Sequence, residues 1–383
     1  MSCGLCVLAS GPITKPGQFV GNRRHRATRM DQFAKLGVSL LVFATVSLLA
    51  STDAKPGGPR MFVDSSGRQV AVPDRIERVF AAGPPAAIML YTLAPEKLIG
   101  WTREPTAAEK SFMVPHYAGL PALGRLTGRG NTANIELVLK ARPDVIFDYG
   151  SLRRTYVSLA DRVQEQTGVP YVLMDGAFLN SAHTYRQLGE LLGSSQRAEQ
   201  LASYAERTFA QVISVLRKVS GGRRPRVYYG RGPDGLETGL GGSINVELLE
   251  LVGAVNVAAE GAGRGGLASV SIEQVLKWNP EVVLTLDRNF FDAVYRSPLW
   301  ENVDAVKRHR VYLAPTLPFG WFDRPPSVNR LIGVQWLLAV LYPDYADTDL
   351  RRATREFYQL FYHLNLGDQQ LDELLAGALR ASR

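Results

Sequence analysis

From residue 79 onward, short apolar runs alternate with stretches whose apolar residues recur every three or four positions, as in α/β proteins. Residues 79–82 (VFAA), 98–101 (LIGW), 145–147 (VIF) and 171–173 (YVL) are predicted strands. Gly83-Pro84-Pro85 turns the chain from the first of them into a helix that runs to Leu93. The rhythm restarts at residues 226–229 (RVYY), passes through a helix near 246–252 and continues in strands at 282–286 and 311–313. Helices over residues 327–341, 350–362 and 368–379 close the chain. Two rounds of one pattern predict two Rossmann-like α/β lobes with a ligand cleft between them.

Between the rounds, residues 183–219 contain no proline, and Leu188, Leu192, Leu201, Ala205, Val212 and Leu216 fall at helical spacing. A single helix of that length would be a rigid rod of about 50 Å. A break at Gly193-Ser194-Ser195 would give two packed helices instead. The expected organisation is a leader over residues 1–54, an N-terminal lobe over 55–182, a linking helix over 183–220 and a C-terminal lobe with terminal helices over 221–383.

One unit occurs twice. Residues 134–148 read NIELVLKARPDVIFD, and residues 271–285, 137 positions later, read SIEQVLKWNPEVVLT; seven of the fifteen positions are identical. Asn134 and Ser271 are suited to cap a helix, and Gln274 can complete a capping box with Ser271. Ile135, Val138 and Leu139 form an apolar stripe in one copy; Ile272, Val275 and Leu276 do so in the other. Glu136 and Glu273 fall off those stripes, towards water, and Pro143 and Pro280 stop the helices. An acidic residue in a first turn is explained by the helix dipole alone, at about 0.3–1 kcal/mol. Two at matching points of two lobes form a pair of negative posts that a partner with two basic sockets could read.

The leader differs from the rest. Arg23, Arg24, Arg26, Arg29 and Lys35 precede an apolar run over residues 36–50, shorter than the roughly 20 residues of a membrane-spanning helix. Small residues follow (Ser51, Thr52, Ala54), so the stretch reads as a signal peptide cleaved after Ala54, with an uncleaved anchor as the alternative. Met30 is the expected true start. Cys3 and Cys6, the chain's two cysteines, lie in this leader, so the mature chain has no thiol chemistry and no site for a lipid anchor. The whole chain carries +8; without the leader's six Lys/Arg and two Asp it keeps 38 basic against 34 acidic residues, +4. A balance that mild, with no dense basic run, speaks against nucleic-acid binding. A soluble, monomeric protein of a bacterial periplasm is expected.

These features together resemble a known family: the substrate-binding proteins of bacterial ABC importers for metal chelates. The signal peptide, the two α/β rounds, the linking helix and the paired Ile-Glu…Pro units carry the resemblance, which covers about residues 61–362. The stretch DSSGRQVAVP (residues 64–73) is similar to the family's entry hairpin. The resemblance implies capture of a metal chelate and its delivery to an inner-membrane permease driven by an ATPase. It further implies that Glu136 and Glu273 salt-bridge to arginines of that permease, and that the rigid linker limits lobe motion to a few degrees. A ferric siderophore is the first expectation for the ligand; cobalamin, haem, a nickel chelate or molybdate are the alternatives. The ligand would bring its own metal, and no resident cofactor is expected.

Ligands of such folds sit beyond the carboxyl ends of the strands. That places Pro84, Trp101, Arg103 and Tyr149 of the first lobe, and Tyr229, Arg231 and Arg288 of the second, at the cleft. The loop PFGWFDRPP (residues 318–326), stiffened by three prolines, would present Trp321, Phe322 and Arg324, unless the two rings pack under the C-terminal helices. Arg125, Arg129, Arg153 and Arg154 also lie in predicted loops; several arginines at one mouth would favour an anionic ligand. The glycine-rich stretches 128–133 and 239–244 lack the Lys-Ser/Thr of a phosphate loop, and the second is expected to bring backbone close to ligand or to the facing lobe. Of five histidines only His116 falls near the cleft, which argues against a bare-metal site. An enzyme of chelatase type is disfavoured: the mature chain has no Cys, no G-x-S-x-G and no H-E-x-x-H. A binding protein feeding a sensor would keep the cleft without needing both glutamates.

Overall fold

The computed structural model describes residues 58–128, 135–222, 224–260 and 263–379. The leader with Cys3, Cys6, Met30 and its cleavage site lies outside them, as do Arg129, the cap expected at Asn134 and most of the stretch 128–133.

The entry hairpin is antiparallel, β1 (Arg60–Val63) on β2 (Gln69–Val72). The first lobe is a parallel sheet of β3 (Val79–Ala81), β4 (Val145–Gly150) and β5 (Tyr171–Asp175) in that order. A small antiparallel pair, β7 (Glu237–Gly239) and β9 (Leu267–Ser269), flanks the second lobe. Its main sheet is parallel, in the order β11 (Val311–Leu313), β10 (Val282–Thr285), β6 (Arg226–Gly230), β8 (Val255–Asn256). The strand expected at residues 98–101 shrinks to two single bridges, Val79 to Leu98 and Trp101 to Ala122. The Trp101 amide donates to Pro121 O, which draws the segment off the sheet and into the loop it faces.

Alternation along the strands separates two kinds of core. Phe147, Met174, Tyr229 and Leu284 point inward and join one continuous core with the helices Pro84–Leu93, Ser195–Lys218, Arg330–Leu341 and Leu350–Tyr362. Their neighbours Ile146 and Tyr171 face an outer core of the first lobe, while Tyr228 and Val283 face one of the second. Each fully buried Val, Leu or Phe contributes roughly 1.5–3 kcal/mol. The lobes are therefore welded along their inner faces rather than hung on a flexible strand.

The single 50 Å rod is not formed. Gly193 takes a left-handed backbone (φ +69°) and ends the helix Ser181–Leu192; a second helix, Ser195–Lys218, packs back against it. The 24-residue second helix spans about 36 Å and is the strut. Among the described residues no helix is long and apolar enough to cross a membrane.

Candidate functional site

A cavity of about 190 Å³ opens between the lobes at the carboxyl ends of the sheets. The first lobe supplies Pro84, Ile88, Trp101, Arg103, Glu109 and Arg125; the second supplies Phe319 and Pro325. Pro84 begins the ten-residue helix Pro84–Leu93, whose cap Gly83 makes no side-chain capping bond. That helix therefore brings the positive end of its dipole to the cavity wall. Trp101 is anchored by its indole N–H, which donates to Tyr117 O at 2.7 Å. Its ring meets Phe319 across the cleft, centroids 5.9 Å apart. Below them the lobes touch directly: Ser327 Oγ donates to Pro85 O at 2.9 Å, and the Arg330 guanidinium lies 4.7 Å over the Phe178 ring.

The polar groups of the cavity are ionic. Arg103 Nη1 donates to Glu109 Oε2 at 2.7 Å and its Nη2 to Oε1, a two-pronged pair. Glu109 is held in turn by a capping box: its carboxylate accepts from the Thr106 amide at 2.7 Å, and its own amide donates to Thr106 Oγ1 at 3.2 Å. Burial opposes the charge of Glu109, but Arg103 and the Thr106 amide hold its carboxyl below the usual range. Glu109 correspondingly holds the Arg103 guanidinium above its ordinary value, against partial burial.

Of the residues expected from sequence, Pro84, Trp101 and Arg103 line this cavity. The others are placed elsewhere. Trp321 and Phe322 are core residues, 0% and 1% exposed. The Trp321 indole donates to Tyr358 OH at 3.3 Å, and Phe322 meets Tyr229 edge-on at 4.6 Å. The expectation that these rings grip a ligand is corrected: the loop 318–326 turns Phe319 and Pro325 outward instead. Gly320 sets that turn, because a Cβ there would fall 2.0 Å from Asp323 O. Asp323 fixes the loop from behind, accepting from Tyr229 OH (3.2 Å), Asn245 Nδ2 (2.9 Å), the Arg324 amide (2.8 Å) and Arg231. Tyr229 and Arg231 are thereby bound to a buried carboxylate and do not reach the cavity. Arg324 is exposed and directly precedes the cavity-lining Pro325.

Tyr149 is buried; its hydroxyl has no hydrogen-bond partner among the described residues, and burial pushes that phenol up. Arg288 lies away from the cleft, paired with Asp292 at 3.7 Å and donating to Ala376 O. In the stretch 239–244, Gly239 and Gly241 press on Val246 and Ala259, so this backbone serves its own lobe's packing rather than the cleft. Among the described residues no group of three or more His, Cys, Asp or Glu stands close enough to hold a metal ion. A larger groove, about 880 Å³, is lined by Pro225, Arg310 and Tyr342. Pro225 and Arg310 directly precede β6 and β11, so it lies at the end of the sheet away from the cleft.

The signals that were missed are identifiable. Thr106-Ala-Ala-Glu109 is a capping-box sequence, and the box is formed. Phe319 and Pro325 belong to the loop already singled out, but which of its aromatic rings turns inward depends on Asp323, 92 residues from Arg231.

Glu136 and Glu273 are both exposed, in the first turns of the helices Ile135–Ala141 and Ile272–Trp278. Ser271 caps the second helix, accepting from the Gln274 amide at 3.3 Å. In both copies the ninth position, Arg142 or Asn279, takes a left-handed backbone (φ 47° and 42°) before the proline. Leu139 departs from its expected apolar stripe and is 46% exposed. Each helix runs back before a parallel strand, so both glutamates start at the sheet end that bears the cavity.

The model of a family described as periplasmic binding protein matches residues 99–317. A curated relative, the molybdate-binding protein MolA of Haemophilus influenzae, is 28% identical over 342 residues, 82% of this chain and 94% of that protein. The structure of MolA bound to molybdate superposes with a TM-score of 0.64 at 25% identity, covering 80% of this chain and 99% of that one. An ABC transporter solute-binding protein from Sulfurospirillum deleyianum gives a TM-score of 0.75 at 30% identity, covering 82% and 98%. The iron(3+)-hydroxamate-binding protein FhuD of Bacillus subtilis is 21% identical over 231 residues, 58% of this chain and 70% of that protein.

Proposed function

The chain belongs to the periplasmic binding protein family, of the kind that serves ABC importers, and from that premise we propose that it captures a compact oxyanion of the molybdate type. The carrying observation is the size and charge of one cavity. About 190 Å³, with two arginines and a helix N-terminus on its wall, suits a small anion. Ligands of drug size occupy pockets of roughly 300–1,000 Å³. The molybdate-binding relative supports the same reading. Planar guanidinium forks match the oxygen edges of such an anion.

A ferric siderophore is the second reading, favoured by the facing rings of Trp101 and Phe319 and by the hydroxamate-binding relative. It requires the lobes to stand further apart. In either case the loaded protein presents Glu136 and Glu273 to a permease, whose ATPase drives import across the inner membrane.

Because Trp101 forms part of the wall, intrinsic tryptophan fluorescence separates the readings. Titration with molybdate, tungstate, a ferric hydroxamate, haem, cobalamin and a nickel chelate is expected to give a saturable change with the two oxyanions. A change with the ferric hydroxamate alone would favour the second reading.

A further inference from the structure

We propose that Glu109 is a built-in competitor for the ligand: its carboxylate occupies the guanidinium edge that an oxyanion needs. The inference rests on the oxyanion reading of the cavity and goes beyond it by naming the residue that sets affinity and release. Both terminal nitrogens of Arg103 are engaged by the two oxygens of Glu109. The two partners are unlike. Glu109 has 15% of its side chain exposed and is fixed by the Thr106 box, whereas Arg103 has 62% exposed on a flexible stem. Both line the same cavity as Arg125.

An arriving anion therefore draws Arg103 away while Glu109 stays in place. The bound anion then faces an ionised carboxylate across the same small space. That like-charge contact weakens binding and speeds release. Arg103 Nη1 keeps one local bond, to Glu104 O at 3.0 Å, so its stem stays near the cavity during the exchange.

The test is isothermal titration and stopped-flow release of molybdate with the full mature chain and with Glu109→Gln. Glutamine keeps the N3 side of a capping box, so the helix Ala107–Lys110 is retained. A partly exposed salt bridge sets the scale of the competition, so E109Q is expected to bind about fivefold tighter and to release correspondingly more slowly. Glu109→Ala should move affinity in the same direction, which guards against a folding defect in one variant. Glu165→Gln, at an exposed carboxylate on the helix Arg154–Thr167, should leave affinity unchanged. Equal or weaker binding by both Glu109 variants overturns the inference: Glu109 would then be preorganising Arg103. If neither the native chain nor E109Q binds molybdate or tungstate, the oxyanion reading fails, and this inference falls with it.

Discussion

The two lobes share a repeated helix–strand unit and a parallel sheet, yet they use charge in opposite ways. In the first lobe the cavity's arginines lie in loops, with Arg103 paired to a carboxylate at the mouth. In the second lobe Arg231 is paired with buried Asp323, and Arg330, 1% exposed, with Glu247 at 2.5 Å. The second lobe's cations therefore stiffen the loop 318–326 and the interlobe seam, and that lobe lines the cavity with Phe319 and Pro325. The buried acids differ too. Asp323 has a guanidinium partner. Asp148 of the first lobe accepts, among the described residues, from the Tyr171 hydroxyl at 3.0 Å, Thr127 Oγ1 at 3.2 Å and the Tyr149 amide, with no guanidinium, and burial pushes its carboxyl up to about 6. A loop arginine becomes structural or cavity-facing according to whether a fully buried carboxylate stands beside it.

Where the lobes are alike, at the two acidic posts, symmetry of effect is expected. Glu136→Ala combined with Glu273→Ala should bring uptake of radiolabelled molybdate by whole cells to background, with binding in vitro unchanged. Each single variant should lie between. Normal uptake in the double variant would remove the docking role.

Where they differ, the next largest effect belongs to the second lobe. Asp323→Ala strands Arg231 with Glu237 alone, at 3.2 Å, and frees the loop. Breaking such a buried pair should cost about 3 kcal/mol in guanidinium chloride unfolding. Little or no loss would show that the ion pair does not organise this lobe.

Asp148 sharpens the contrast through pH. Burial raises its folded pKa to about 6, above the ordinary aspartate value of 3.8. Its favourable contribution is thus full below the unfolded value and lost as pH rises through about 6. Stability of the native chain should fall by about 2–3 kcal/mol from this group between pH 4 and 7. Asp148→Asn removes this titration, so the variant should gain on the native chain as pH rises. Parallel pH curves for the two proteins would contradict the assignment.

A smaller effect is expected from Arg103→Ala, about tenfold weaker oxyanion binding. Trp321→Ala should lower stability rather than touch the ligand directly, because Trp321 has no exposed surface.

Much of the architecture was legible from periodicity. The strands at residues 79, 145, 171, 226, 282 and 311, the helix Leu350–Tyr362 and both exposed glutamates follow from local pattern. The lining of the candidate cavity was legible only in its first-lobe half. Pro84, Trp101 and Arg103 follow their strands within a few residues, so strand ends located them. Arg231 follows β6 just as closely, but its role is decided by Asp323, far along the chain, and local pattern carries no such information. The break at Gly193 was visible as a glycine; that it takes a left-handed backbone is a consequence of the two helices packing together.

The most direct measurement of the central claim is a crystal structure of the protein with tungstate, in which tungsten's anomalous scattering locates the ion. The account predicts a single peak in the cavity bounded by Arg103, Arg125 and Phe319, with Arg103 turned from Glu109 to the anion. A peak outside the cleft, or an empty cleft at saturating tungstate, would contradict it.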